Sequence, residues 1–372
     1  MKKIAIVLGT RPEAIKLLPL YKAFKKEGYF DPILISTGQH REMLDQIFNF
    51  FGVKPDIELS LMTKDQTLAS LTSNLSTALQ NCYEEIKPDL VIVQGDTTTA
   101  FVSSLIAYYN RIKVAHVEAG LRTYNKYSPF PEEVNRKLIS GIADYHFAPT
   151  DKALEVLKKE GISNIYQVGN TVVDSLLLCL KKLGVNRNFY DEKFKLLNNF
   201  DKTVLITGHR RESFGDGFQR ICESILRLAS KYPNFLFYYP VHLNPNVRSV
   251  VLSMLSSVDN IFIDNPLPYD ELVYLMSRSY IILTDSGGIQ EEAPSLNVPV
   301  LIMRDTTERM EGVEAGCAIL VGTETDIICS NFIHLVENEV IYSKMSRVEN
   351  PYGDGTASEN IINILHDKLK QE

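Results

Sequence analysis

Short aliphatic runs rich in β-branched residues, each leading into an amphipathic stretch, recur along this chain, and the rhythm begins twice. Ile4–Leu8, Ile33–Ser36, Leu90–Val93, Val114–Val117 and Tyr145–Ala148 make the first set. Val204–Ile206, Phe235–Tyr239, Ile261–Ile263, Ile281–Leu283 and Val298–Ile302 make the second. Runs too short for helices, separated by helix-length segments, predict strands joined by crossover helices and therefore parallel α/β sheets. The chain has 372 residues, 45% of them hydrophobic, which is more than one ordinary doubly wound sheet needs and enough for two cores. Division near Asn170–Asp201 puts one α/β domain at residues 1–170 and a second at 171–356. The helical period of Ala357–Lys370, after the turn cluster Pro351–Gly355, predicts a last helix that crosses back onto the first domain.

The formal charge of −7 is spread through interspersed acids and bases, which argues against nucleic acid or an anionic membrane as partner. No apolar run approaches the roughly 20 residues that span a bilayer. Met1-Lys2-Lys3 leads directly into the first predicted strand with no secretory apolar region, so the expected location is the cytoplasm. Five scattered cysteines suit reduced, buried thiols, and no Cys or His pair has zinc spacing, so no metal is expected. No Gly-x-Gly-x-x-Gly follows the first strand, and neither a P-loop nor a Gly-x-Ser-x-Gly elbow occurs. A bound dinucleotide, a P-loop kinase and a serine hydrolase are thus unsupported.

Ligands of open α/β sheets gather beyond the carboxyl ends of strands, where helix N-termini present N–H groups. In Gly9–Glu13, Thr10 caps a helix, Pro12 suits its first turn and Glu13 completes a capping box, leaving Arg11 and Lys16 to meet an anion or simply to be solvated. Asp96 follows the Leu90–Val93 run and reads either as a site carboxylate or as a helix N-cap. Glu118, between His116 and Gly120 at another strand end, is not a usual cap. Glu132 and Glu133 open a further helix, where the dipole alone would account for them. His209 sits between a strand end and Arg210-Arg211, a setting for a phosphate-bearing ligand. In Asp285–Glu292, the backbone at Ser286, Gly287 and Gly288 can cradle a diphosphate, and Glu292 can accept from both hydroxyls of a ribose. Arg304 and Arg309 add positive charge after the next strand.

Taken in order, Gly9–Lys16, Gln39–Leu44, Gly95–Thr99, His116–Arg122, Gly208–Ser213, Asp285–Pro294 and Arg304–Arg309 resemble the motifs of the bacterial non-hydrolysing UDP-N-acetylglucosamine 2-epimerases nearly end to end. The resemblance implies two Rossmann-like domains with a cleft between them, as in glycosyltransferase-B folds, usually in a homodimer and with no redox cofactor. It assigns Arg11, Lys16, Asp96, Glu118 and His209 to the sugar and diphosphate region. Ser286, Gly287, Gly288, Glu292 and Arg309 fall to diphosphate and ribose, and Glu132 to catalysis. Gln39 and His40 match residues that help bind a second UDP-N-acetylglucosamine as activator. Around Asn265–Leu272 the chain departs from the pattern, and Leu272 takes the place of an aromatic that packs on uracil.

The implied reaction is reversible inversion at C2 to UDP-N-acetylmannosamine, by elimination and re-addition of UDP through 2-acetamidoglucal, feeding cell-surface polysaccharide synthesis. The competing readings are a hydrolysing epimerase that releases UDP and N-acetylmannosamine, a retaining glycosyltransferase, and a non-catalytic nucleotide-sugar sensor. Products separate the first, an acceptor site the second, and the acid–base candidates the third.

Overall fold

The predicted runs become strands because helices cover their aliphatic side chains on both faces, as a parallel sheet requires; Ile4–Leu8 is wholly buried. The structure, a computed structural model, describes residues 1–38, 41–61, 66–208, 210 and 214–370, with backbone only at 41–43. Its described part divides into two compact units, Met1–Ser175 with Tyr352–Glu372, and Leu176–Pro351.

In the first unit, β1 (Lys2–Leu8), β2 (Phe30–Ser36), β3 (Ile57–Glu58), β4 (Leu90–Gln94), β5 (Lys113–Val117), β6 (Tyr145–Ala148) and β7 (Ile165–Gln167) form one sheet in the order β3-β2-β1-β4-β5-β6-β7. Every pairing in it is parallel. The helices are α1 (Arg11–Glu27), α2 (Arg41–Phe51), α3 (Leu68–Ile86), α4 (Thr98–Tyr109), α5 (Glu132–Ile142) and α6 (Asp151–Lys159). Leu75, Leu79, Val91, Val102 and Ile139 are fully buried in one core of this unit. The last helix, Ala357–Lys370, packs on α1. Asn170 N–H donates to Tyr352 O (2.7 Å) and Ser358 N–H to Asp174 Oδ1 (2.7 Å), which fixes its approach.

The second unit repeats the plan with β8 (Lys202–Thr207), β9 (Phe235–Pro240), β10 (Ile261–Asp264), β11 (Ile281–Thr284), β12 (Val300–Ile302) and β13 (Ala318–Leu320) in the parallel order β10-β9-β8-β11-β12-β13. Phe218, Phe237, Val251, Leu283 and Phe332 anchor its core. The polar stretch at the domain boundary is not a bare connection. It forms the helix Arg187–Lys193 and the 3₁₀ turn Lys195–Asn199, because Tyr190 and Phe194 stack on Tyr274 at 5.5 and 5.3 Å.

Three strands went unpredicted. β3, β7 and β13 lie at sheet edges, span two or three residues and are largely half-exposed, too little for an apolar run to show. All five cysteines are free thiols, four of them buried. Among the described residues no helix is long and apolar enough to cross a membrane.

Each sheet reverses its winding once, between β1 and β4 in the first unit and between β8 and β11 in the second. Beyond the carboxyl ends of such strand pairs the adjacent loops diverge, which is where open α/β sheets bind ligands. The sequence motifs flank both points.

Candidate active site

In the first unit the loops after β1 and β4 are held together by a buried carboxylate. Glu13 is 1% exposed. Its Oε2 accepts from Gly9 N–H (2.9 Å), Thr10 N–H (2.7 Å) and Thr10 Oγ1 (2.8 Å), completing the capping box of α1. Its Oε1 accepts from Thr97 Oγ1 at 2.5 Å. Burial pushes the Glu13 carboxyl up in pKa, and the hydrogen bonds from Thr97, Gly9 and Thr10 pull it back.

Thr97, not Asp96, is the N-cap of α4, accepting from Ala100 N–H at 3.0 Å. Asp96 instead receives Arg136, through Nε at 3.0 Å and through Nη2. Asn135 Nδ2 donates to the Asp96 carbonyl at 2.9 Å. The same Arg136 reaches Glu133 Oε2 at 3.3 Å. Glu133 is fully buried and accepts the N–H groups of Thr123 (2.9 Å) and Tyr124 (3.0 Å), so it pins the preceding loop in addition to sitting at a helix start. Glu132, half-buried, is the first residue of α5, and Arg11, also half-buried, is the first of α1.

Glu118 directly follows β5, with φ of +64°, a left-handed conformation uncommon for a side-chain-bearing residue and often found at functional sites. Lys16 Nζ donates to its Oε1 and Gln94 Nε2 to its Oε2. The Lys16 and Glu118 side chains are 8% and 7% exposed. Gly120, with φ of +98°, completes the turn, and a Cβ there would lie 2.3 Å from the Ala153 carbonyl oxygen. His116 is fully buried, with Nε2 2.7 Å from Gly95 O. Burial, opposed by that bond, lowers its pKa to about 3, so the ring is neutral and donates to Gly95. It ties the β4 loop to β5.

In the second unit the hydroxyls of Thr207 and Thr284, at the ends of β8 and β11, are 2.6 Å apart. Asp285, 1% exposed, accepts Arg210 N–H at 2.7 Å. Ser286 is the N-cap residue of the helix Gly287–Glu292, and its N–H donates to Thr284 Oγ1 at 3.0 Å. The Arg309 guanidinium lies against Gly287, where a Cβ would meet its Cζ at 2.5 Å; a Cβ on Gly288 would meet nothing within 4 Å. Glu292, buried, accepts from Tyr269 OH at 2.6 Å. Leu272 is half-buried in the first turn of the helix Tyr269–Arg278.

The arginines read as added positive charge are already paired. Arg309 donates through Nε to Glu291 (2.7 Å) and through Nη1 to Glu308, and Arg304 Nη1 donates to Glu308 at 3.0 Å. Burial pushes the Glu308 carboxyl up, but Arg309 and then Arg304 outweigh it and hold its pKa at about 2. Glu308 carries a signal in the sequence itself, as an acid four residues after one arginine and next to another. His209, Gln39 and His40 lie outside the described residues.

The sequence model of a family described as UDP-N-acetylglucosamine 2-epimerase matches residues 22–366. The Campylobacter jejuni UDP-N-acetylglucosamine 2-epimerase is 49% identical over 376 residues, covering 98% of this chain and 97% of the relative. Among solved structures, the Neisseria meningitidis UDP-GlcNAc 2-epimerase bound to UDP-GlcNAc is 48% identical with a TM-score of 0.94, covering 98% of this chain and all of that one. S. aureus MnaA, in a co-structure with UDP, is 44% identical with a TM-score of 0.91, covering all of this chain and 97% of that one.

Proposed function

The chain belongs to the UDP-N-acetylglucosamine 2-epimerase family, and we propose that it inverts C2 without hydrolysis, returning UDP-N-acetylmannosamine with UDP still attached. The observation that carries this reading is Glu118, a carboxylate in a left-handed backbone conformation, gripped on both oxygens by Lys16 and Gln94. A group held so tightly at a strand end suits proton transfer at one place on a substrate.

The C2 hydrogen of an N-acetylhexosamine has no adjacent carbonyl to acidify it. Loss of the C2 proton to a carboxylate, with the C1–O bond breaking and its electron pair leaving on the β-phosphate of UDP, forms the C1–C2 double bond of 2-acetamidoglucal. Return of a proton to the opposite face of C2, with the UDP oxygen adding again at C1, gives the epimer. In this scheme Asp96, Glu118 and Glu132 serve the two faces as acid and base, and His209 meets the departing phosphate. Arg11 and Lys16 act near the sugar and diphosphate. Ser286, Gly287, Gly288 and Arg309 hold the diphosphate, Glu292 the ribose, and Leu272 packs near uracil. Arg11, Lys16, Asp96, Glu118 and Glu132 belong to the N-terminal domain at 1–170, and His209, Leu272, Ser286, Gly287, Gly288, Glu292 and Arg309 to the UDP-binding domain at 171–356.

The relative bound to UDP-GlcNAc supports the substrate. We further propose a cytoplasmic homodimer feeding cell-surface polysaccharide synthesis, with UDP-N-acetylglucosamine also acting as activator through Gln39 and His40. Product analysis by ³¹P and ¹H NMR tests the reading. An equilibrium mixture of two UDP-sugars is expected, and steady accumulation of UDP with free N-acetylmannosamine would favour the hydrolysing alternative.

A further inference from the structure

Glu13 has no part in the mechanism above, yet four donors meet its two oxygens at 2.5 to 2.9 Å. A capping box needs only Oε2. Oε1 reaches instead to Thr97, 84 residues away in sequence and on the far side of the sheet's reversal point. Burying a carboxylate to 1% exposure is costly unless its acceptors are filled, and here both oxygens are. Thr97 directly follows Asp96, and Glu13 lies one turn before Lys16, whose ammonium meets Glu118.

We propose that the Glu13–Thr97 hydrogen bond is a positioning tie that sets Asp96 against the N-terminus of α1, and through α1 against the Lys16–Glu118 pair. Neither Glu13 nor Thr97 touches the reacting atoms. Their effect is to hold the β4–α4 loop at one distance from the β1–α1 loop, so that Asp96 and Glu118 address one carbon together. Small displacements of a reacting group cost rate steeply, whereas binding spread over many contacts changes little. The tie rests on the reading of Asp96 as an acid–base group.

The test uses the full-length protein and UDP-N-acetylglucosamine, with kcat, KM and thermal midpoint measured for Thr97→Val, Thr97→Ala, Thr97→Ser and Asp96→Asn. Thr97→Val removes the donor and should lower kcat about 10-fold or more with KM within about 3-fold. Thr97→Ser, which keeps the hydroxyl, should recover kcat to within about 2-fold. Thr97→Ala, which also lacks the hydroxyl, should mimic Thr97→Val. A folded Thr97→Val with normal kcat overturns the proposal. So does a kcat loss that Thr97→Ser fails to restore, since that would mark a purely structural role. Should Thr97→Val not fold, Thr97→Ala decides in its place, and a normal kcat there overturns the tie. Asp96→Asn separates the two claims: a normal kcat in that variant sinks the role of Asp96 and the tie with it, while a large loss beside a normal Thr97→Val sinks the tie alone.

Discussion

Lys16 Nζ donates to Glu118 Oε1, joining the first helix to the end of β5 across 102 residues of sequence, with both side chains over nine-tenths buried. A pair removed from water this far is weakly stabilising in itself but costly to break, because the remaining partner is left as an uncompensated charge. Lys16→Met should therefore lower stability by about 3 to 5 kcal/mol and kcat by about 100-fold. Adding Glu118→Gln should return much of the stability and none of the activity. Urea unfolding and initial rates on the two variants check this, and restored activity in the double variant would refute a chemical role for Glu118.

The neutral His116 makes stability depend on pH. Its folded pKa of about 3 lies below the ordinary 6.5, so the unfolded chain binds the extra proton first. The contribution is complete above pH 6.5 and is lost as pH falls toward 3. Between pH 7 and 5 this group alone should remove about 2 kcal/mol. His116→Gln, whose amide can still donate to Gly95 O, should flatten that slope when unfolding is followed at several pH values.

Gly120→Ala should destabilise the first unit by roughly 3 kcal/mol or more, from a methyl 2.3 Å from the Ala153 carbonyl oxygen at a φ of +98°. Chemical denaturation with a probe in the first unit reads this. A loss under 1 kcal/mol would mean that α6 shifts cheaply, contrary to the packing described.

How far the sequence could be read follows from the same contacts. Central parallel strands are covered on both faces, so Ile4–Leu8 and Leu90–Val93 stand out as unbroken apolar runs, and the two-sheet α/β fold was legible from them. The edge strands β3, β7 and β13 were not, because a few half-exposed residues carry no period. In the site, acids at strand ends drew attention, but their partners did not. Arg136 on Asp96 and Gln94 on Glu118 are set by which loops the topology brings side by side. Asp96 and Thr97 are both good capping residues in adjacent positions, so only the structure says that Thr97 takes the cap and leaves Asp96 to Arg136.

If Gln39 and His40 contribute to an activator site, the reverse reaction from purified UDP-N-acetylmannosamine should begin with a lag and accelerate on adding a trace of UDP-N-acetylglucosamine. An activator can act only through preferential affinity for the active state. Replacing both residues by Ala should weaken the response. A full initial rate with no lag and no response would eliminate the activator role.

The most direct measurement is incubation with UDP-N-acetylglucosamine in deuterium oxide, followed by ¹H NMR of both epimers. Elimination and re-addition predict solvent deuterium at C2 of each epimer, with UDP retained. Epimerisation without deuterium at C2 would contradict loss of the C2 proton and, with it, the roles given to Asp96, Glu118 and Glu132.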